Sequence, residues 1–382
     1  MQYKHYHNNA LVVFLSILLF FFQSSFADNH IKSTSEKAQL VYFRDLIVRC
    51  PNCYGESDGH ISAYAYPEKE RLIDYIQFLF SLVNEEHKAS YYAIAPNGKQ
   101  HLQEGKENHV TRLAMNEFSL YTYYLLSIDD FNGILTKISE MAEHLEPNVQ
   151  ALLSSFAVEV EGKVLNTCVF VEGGNIPKLH VFAKNTASIT DIEYFDRCLF
   201  SQSDNNADGT ITPTGLFINT AGVFEVKIAG GTSYLQLIDI CMDHKYSHSI
   251  QVMERRFFDG SKRNVTFPER IEQCVTSNSI HLNNFDIAAT VVLHADSKRS
   301  MYPKHPLDIL HISQDNIEQV VPSTKYNLMS INKFYDGYQI ENLPFGPDVM
   351  LEVLPERPIA EFIPPHLRKP PILLYILQLF SW

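Results

Sequence analysis

The sequence predicts an α/β fold, and three observations lead to this class. Hydrophobic residues make up 45% and charged residues 20% of the 382 residues, which is typical of a globular protein and excludes a mainly disordered chain. Residues 68–88 and 129–144 carry apolar side chains at helical spacing, whereas residues 149–184 contain apolar runs separated by glycine turns. Strands that are interleaved with helices along a chain favour an α/β architecture.

The first 27 residues are predicted to be a secretory signal peptide. Lys4 gives a basic start, residues 10–22 are almost wholly apolar, and Ser25 and Ala27 are small residues at the positions that precede a cut. The apolar run is shorter than the roughly 20 residues that a membrane span needs, and an uncleaved anchor is the alternative. We therefore expect cleavage after Ala27, a secreted or periplasmic protein, and no stable membrane span afterwards.

The following region, residues 28–100, has no clear assignment to a domain. Helices and turns can nevertheless be predicted in the first half of the chain, from the helical spacing of apolar residues and from turn residues between the predicted elements. Asp129 is the expected N-cap of its second helix, and Pro147 stops that helix. The predicted elements here are a helix over 68–88, a turn at 96–98, a strand over 110–117 and a helix over 129–144.

Strands dominate the chain from residue 149 onward. The polar loop 201–215 interrupts them, and the Pro-rich tail over residues 341–382 is expected to be irregular. The predicted strands cover 149–160, 164–173, 178–184, 222–228, 233–241 and 285–295, with a helix inside the charged stretch 247–280.

Charge and cysteine content exclude several kinds of partner. The net charge is −13 and basic residues do not cluster, so we expect no nucleic acid partner. The six cysteines of an exported chain are too sparse for a disulfide scaffold. Cys50 and Cys53 have redox-motif spacing, but the loop composition after them favours a local disulfide. No second CxxC or HxxxH pattern completes a zinc site, so we expect no metal.

Three predicted strands end at a residue that could react. Glu117 follows the run LAMN, Lys184 follows HVFA, and Cys241 follows LIDI. The carboxyl ends of strands are where open α/β sheets place their sites. A carboxylate, an amine and a thiol could together supply a general base, an oxyanion stabiliser and a nucleophile.

This ordered set resembles the Glu–Lys–Cys triad of the nitrilase superfamily, also called the carbon–nitrogen hydrolases. LAMNEFSL resembles the family's glutamate segment, residues 154–184 resemble its central strand pair, and IDICMDH resembles its nucleophile segment. Within the strand pair, Asn166 and the glycine turn at 173–174 match the family pattern. The resemblance implies a four-layer αββα sandwich over residues 101–340, no cofactor, and a homodimer.

The resemblance also implies a reaction, the hydrolysis of non-peptide carbon–nitrogen bonds of the amide type in a small-molecule substrate. Cys241 would be the nucleophile that forms a thioester, Glu117 the general base, and Lys184 the group that stabilises the oxyanion. The alternatives are a thioester-based N-acyltransferase and a catalytically inactive, secreted binding protein with the same fold. The accessory positions that the resemblance implies are Glu193, Asp243 and the backbone N–H of Met242.

Structural roles remain open for each member of the triad. Cys241 could be a small buried side chain at a strand end, as many cysteines are. Lys178 competes with Lys184 because it lies on the same predicted strand. Glu117 could cap a helix or pair with Arg112. The neighbouring histidines, His244 and His294, are expected to be structural.

Overall fold

A computed structural model describes residues 40–49, 69–122, 125–160, 162–186, 222–258, 270–277, 291–296, 310–312, 317–319, 321–328 and 349–359. Two large sheets, one short hairpin and helices on both outer sides make up this part of the chain. The predicted α/β class is confirmed. The signal segment, Cys50, Cys53, the loop 201–215 and Glu193 lie outside the described residues.

The first sheet has a parallel centre. Strands β1 (Tyr42–Arg49), β4 (His109–Met115) and β6 (Val149–Val160) run in the same direction. Antiparallel strands extend both sides, and a separate hairpin of β2 (Tyr92–Ile94) and β3 (Gln100–Leu102) forms at the predicted turn. The remaining strands of this sheet are β5 (Leu126–Ser127), β7 (Lys163–Glu172), β8 (Lys178–Ala183), β15 (Thr324–Asn327), β16 (Met350–Val353) and β17 (Arg357–Pro358).

The second sheet also has a parallel centre, formed by β10 (Ser233–Ile240), β11 (Ile271–Ser277) and β12 (Val291–Asp296). The outer strands are β9 (Val223–Lys227), β13 (Leu310–Ile312) and β14 (Ile317–Gln319). They make the edges antiparallel, with β9 beside β10 at one side and β13 and β14 beyond β12 at the other.

Helices cover the outer faces of both sheets. Helices α1 (Lys69–Tyr91) and α2 (Ile128–Ala142) share one apolar core with alternate residues of β4, such as Leu113 and Met115. The intervening residues Val110 and Ala114 face a second core, between the sheets, together with side chains of β9, β10 and β11. A short turn α3 (Met242–Lys245) and helix α4 (His248–Phe258) lie against β10 on the far side. The layer order is therefore αββα, the sandwich that the resemblance to the nitrilase superfamily implies.

A network of buried charges crosses the space between the sheets. Arg112 on β4 donates to Asp45 on β1 (Nε to Oδ1, 2.8 Å) and to Glu272 on β11 (Nη2 to Oε1, 2.7 Å). Arg357 donates to both carboxylates from β17. Two guanidinium groups thus neutralise two carboxylates, and burial is tolerated because each charge is paired and hydrogen-bonded. The surrounding carboxylates hold the pKa of Arg112 well above its ordinary value, although burial alone would lower it.

Several local predictions need correction. The N-cap of α2 is Ser127 and not Asp129, because the Ser127 hydroxyl accepts the backbone N–H of Asp130 at 3.1 Å while Asp129 lies in the first turn. Of the described strands, β4, β6–β10 and β12 were predicted, and the others, β11 among them, were not. The tail is not wholly irregular, since β16 pairs with β1. Strand β1 precedes residue 101 and β16 follows residue 340, so the first sheet extends beyond both ends of the predicted domain.

Candidate active site

Glu117 lies just beyond the carboxyl end of β4, in a buried turn that is held by hydrogen bonds. The Asn116 amide donates to the backbone carbonyl of Glu117 at 2.9 Å, and the Ser119 hydroxyl donates to the carbonyl of Asn116 at 2.7 Å. Phe118 has a positive φ of 70° and donates its N–H to Ser155 Oγ. This turn ends the strand and fixes the direction of the Glu117 side chain.

Lys184 brings its ammonium group to that carboxylate from the end of β8. Its Nζ donates to Glu117 Oε1 at 2.7 Å, and Asn166 on β7 donates to the same oxygen at 2.9 Å. The side chains of Lys184 and Glu117 are 0% and 1% exposed. Two of the three residues of the predicted triad are therefore in direct contact, 67 residues apart in the chain. The ion pair is strong in this setting because little water screens it.

Cys241 lies at the carboxyl end of β10, in the sharp turn that leads into α3. Its φ is +48°, a left-handed conformation that costs a non-glycine residue about 1–3 kcal/mol. The Cys241 side chain is partly exposed, whereas the other cysteines among the described residues, Cys168 and Cys274, are buried. Backbone strain of this kind clusters at active sites, and a strained turn between strand and helix presents the nucleophilic serine of one class of hydrolases.

Hydrogen bonds tie the Cys241 turn to the end of β4. The backbone N–H of Cys241 donates to the carbonyl of Thr276, at the end of β11. The hydroxyl of Thr276 donates to the carbonyl of Met115 at 2.8 Å and lies 2.7 Å from Ser154 Oγ. Since Met115 is two residues before Glu117, these contacts place the ends of β4, β10 and β11 together.

A second connection joins the Cys241 turn to the segment after Lys184. The carboxylate of Asp243 accepts the backbone N–H of Asn185 (3.1 and 2.9 Å to its two oxygens) and of Thr186 (2.7 Å). The three predicted triad residues thus end three strands at one end of the sandwich.

A polar cluster on the other face of β10 supports the same turn. Asp239 accepts the N–H and the hydroxyl of Ser249, at the start of α4, and the amide of Gln273. His244 Nδ1 lies 3.8 Å from Asp239 Oδ2. Burial alone would raise the pKa of Asp239, but hydrogen bonds and the charge of His244 hold it below its ordinary value, with Ser249 contributing. His244 is buried.

The structure separates the predicted residues from their competitors. Lys178 is at the far end of β8, 51% exposed, with Nζ 3.5 Å from Glu172. Arg112 binds Asp45 and Glu272, and the partner of Glu117 is Lys184. Met242 begins the helical turn after Cys241, whereas Glu193 is outside the described residues.

Sequence reasoning assigned no role to two residues that connect the strand ends, Thr276 and Ser154. Thr276 was missed because its strand was not predicted, and Ser154 because nothing in the apolar run that surrounds it marks a hydroxyl as important. Within the described ranges, no group of three or more His, Cys, Asp or Glu side chains could hold a metal ion. None of the described helices is long and apolar enough to cross a membrane.

Comparisons with known proteins identify similar solved structures at low sequence identity. One is a glutamine-dependent NAD(+) synthetase from Cytophaga hutchinsonii, with 12% identity and a TM-score of 0.38. The match covers 73% of this chain and only 40% of the synthetase. Another is a carbon–nitrogen hydrolase superfamily protein from Xanthomonas campestris with an arsenic adduct in its active site, with 10% identity, a TM-score of 0.34 and coverage of 85% and 92%. No protein-family model and no curated protein matches the sequence.

Proposed function

We propose that this protein hydrolyses non-peptide carbon–nitrogen bonds of the amide type through a thioester on Cys241. The observation that carries the proposal is the buried contact between Lys184 and Glu117 at the end of the sandwich where Cys241 occupies a strained turn. A lysine–carboxylate pair is costly to bury, and its burial at the end of the sandwich that also carries a partly exposed thiol is a reason to assign it chemistry.

The proposed reaction begins with attack of the Cys241 sulfur on the amide carbonyl. Glu117 accepts the thiol proton and passes it to the departing amine as the carbon–nitrogen bond breaks. Water then attacks the thioester, with Glu117 again accepting a proton, and the carboxylic acid and the free Cys241 thiol are released. Each step conserves atoms and needs no oxidant or external cofactor.

Lys184 and the backbone N–H of Met242 supply the electrostatic part of the proposal. The negative charge that develops on the carbonyl oxygen needs preorganised donors, and loss of one such donor costs roughly a hundred- to a thousandfold in rate. Asn166 contributes indirectly, because its hydrogen bond to Oε1 orients the Glu117 carboxylate. The low exposure of the pair keeps competing water away from these charges.

We also propose that the protein is exported and acts as a homodimer on a small-molecule substrate. Export follows from the basic, apolar and small-residue parts of the first 27 residues. Amino-terminal sequencing of protein recovered from the medium or periplasm should begin at Asp28. A preparation that retains residues 1–27 would contradict cleavage after Ala27.

Thiol reactivity tests the proposed nucleophile without a known substrate. Iodoacetamide should label Cys241 near neutral pH, with the site located by mass spectrometry. Cys168 and Cys274 are internal controls, because burial raises the pKa of Cys274 to about 12 and that of Cys168 further still.

Matched variants separate an active site from a merely accessible cysteine. Glu117→Gln and Lys184→Met should slow labelling of Cys241, whereas Lys178→Met should not. An amide panel should give turnover with the wild-type protein and none with Cys241→Ala. Full activity of Cys241→Ala would refute the proposal. Binding without turnover, together with an unreactive Cys241, would favour the inactive binding protein.

A further inference from the structure

Asp243 connects the two halves of the candidate site with a single carboxylate. It follows Cys241 by two residues in the turn of the second sheet, and its three hydrogen bonds reach the backbone of Asn185 and Thr186 at the end of the first sheet. These two residues come directly after Lys184. The Asp243 side chain is buried and the two donors are partly buried, which reduces competition from water for these bonds.

We infer that Asp243, in its ionised form, is a positioning residue that keeps Lys184 in register with the Cys241 turn, and that its protonation loosens the site; the inference rests on the proposed function. Two consecutive backbone N–H groups form a site that accepts an anion. A protonated carboxyl has lost one acceptor and gained an O–H, which would face those same N–H donors.

Burial is the main cause of the raised pKa of Asp243, and the charges around the carboxyl group modify it. Lys184 at the end of β8 attracts a negative charge, and Asp239 on β10 repels it. Glu117 is paired with Lys184, and His244 lies beside Asp239. Burial raises the pKa of Asp243 to about 7, against the bonds from Asn185 and with the added repulsion of Asp239.

The sign of the pH effect follows from this titration. Above about pH 7 the carboxylate is ionised and holds the segment behind Lys184. As pH falls through that value the carboxyl takes up a proton and the three bonds weaken. The rate of the thiol reaction should therefore fall on the acid side, in addition to any effect of the Cys241 thiol itself. Displacement of a catalytic group by about 1 Å can reduce a rate by roughly a hundredfold.

Amide hydrogen exchange measures the positioning role without reference to catalysis. In the full-length protein, peptides that cover Asn185 and Thr186 should be well protected at pH 8 and less protected at pH 6, after correction for intrinsic exchange. The variant Asp243→Asn should show low protection at both values. Equal protection of wild type and variant at pH 8, with the fold intact by thermal melting, would overturn the inference.

The rate of Cys241 alkylation by iodoacetamide, followed from pH 5.5 to 9, measures the consequence for the site. In Asp243→Asn, Cys241 should react about ten- to a hundredfold more slowly at pH 8. The variant should also lose the fall in alkylation rate that begins near pH 7, which is the acid limb of the profile. Asp239→Asn is the matched variant, because removing its charge should shift that limb to lower pH without abolishing it. A general structural defect would not move the limb in this way.

The two proposals fail separately. If the amide panel gives no turnover but exchange and alkylation respond to Asp243 as described, the hydrolase proposal fails and the positioning role stands. If turnover occurs and Asp243→Asn keeps the wild-type pH profile, the inference about Asp243 is overturned and the hydrolase remains. Should Asp243→Asn not fold, the wild-type exchange at pH 6 and pH 8 and the Asp239→Asn profile still decide the matter.

Discussion

Replacement of Lys184 by methionine probes the buried ion pair of the site directly. Methionine keeps most of the length and apolar volume of the lysine side chain and removes its ammonium group, with both the charge and the hydrogen-bond donors. In the wild-type protein Nζ lies 2.7 Å from Glu117 Oε1, and both side chains are at most 1% exposed. The substitution therefore leaves a buried carboxylate without the cation that compensates it.

The expected cost is large for a single substitution. Removal of one partner of a buried pair costs about 3–5 kcal/mol, because the remaining charge keeps its desolvation penalty. The bond from Asn166 to the same oxygen offsets part of this penalty, so we expect the lower half of the range. Glu117→Gln together with Lys184→Met should cost less than the sum of the single changes, with an interaction energy of about 1–3 kcal/mol.

Urea unfolding at pH 7.5 measures these free energies, and Lys178→Met is the matched control. Lys178 lies on the same strand but is 51% exposed and 3.5 Å from its carboxylate partner, so its loss should cost less than about 1 kcal/mol. A cost below about 1 kcal/mol for Lys184→Met, with additive effects in the double variant, would refute the reasoning.

Three further predictions concern stability elsewhere in the sandwich. Burial lowers the pKa of His87 to about 4, so the unfolded chain binds a proton in a pH range where the folded chain does not, and the free energy of unfolding falls as pH decreases from about 6.5 to 4. In urea unfolding, His87→Gln should lose about 3 kcal/mol less over this range than the wild type, and equal losses would contradict this. Arg112→Met should lower the free energy of unfolding by about 3–5 kcal/mol, measured in urea, because the buried carboxylates of Asp45 and Glu272 lose one of their two guanidinium partners. An unchanged free energy would mean that the network contributes nothing. Ser127→Ala removes the N-cap of α2 and should cost about 0.5–2 kcal/mol, whereas Asp129→Ala should cost less, and the reverse order in thermal melts would restore Asp129 as the cap.

Local sequence patterns were sufficient for elements whose burial is regular. The run 149–160 is mostly apolar and forms β6 with those bounds, and the helical spacing over 129–144 corresponds to α2 within two residues. The ends of strands were equally readable, which is why Glu117, Lys184 and Cys241 could be proposed as a set. Their chemical roles are still a prediction.

Strand β11 shows why local patterns failed elsewhere. Its sequence IEQCVTS reads as polar, yet every residue in it is buried. Glu272 is compensated by Arg112 and Arg357, and Gln273 bonds to Asp239. A buried polar side chain looks like a surface residue until its partner is known, and these partners come from distant parts of the chain.

The sequence by itself determined the α/β class, several of the longer strands and helices, and the three residues at strand ends that we propose to react, because hydrophobic periodicity and turn residues act over short distances. Only the tertiary structure decided that β1 and β16 pair in the first sheet, that Lys184 and not Lys178 meets Glu117, and that Asp243 bonds to the backbone behind Lys184. These outcomes depend on which strands pair and how the two sheets face each other. Such contacts join residues that are far apart in the chain, and no local pattern encodes them.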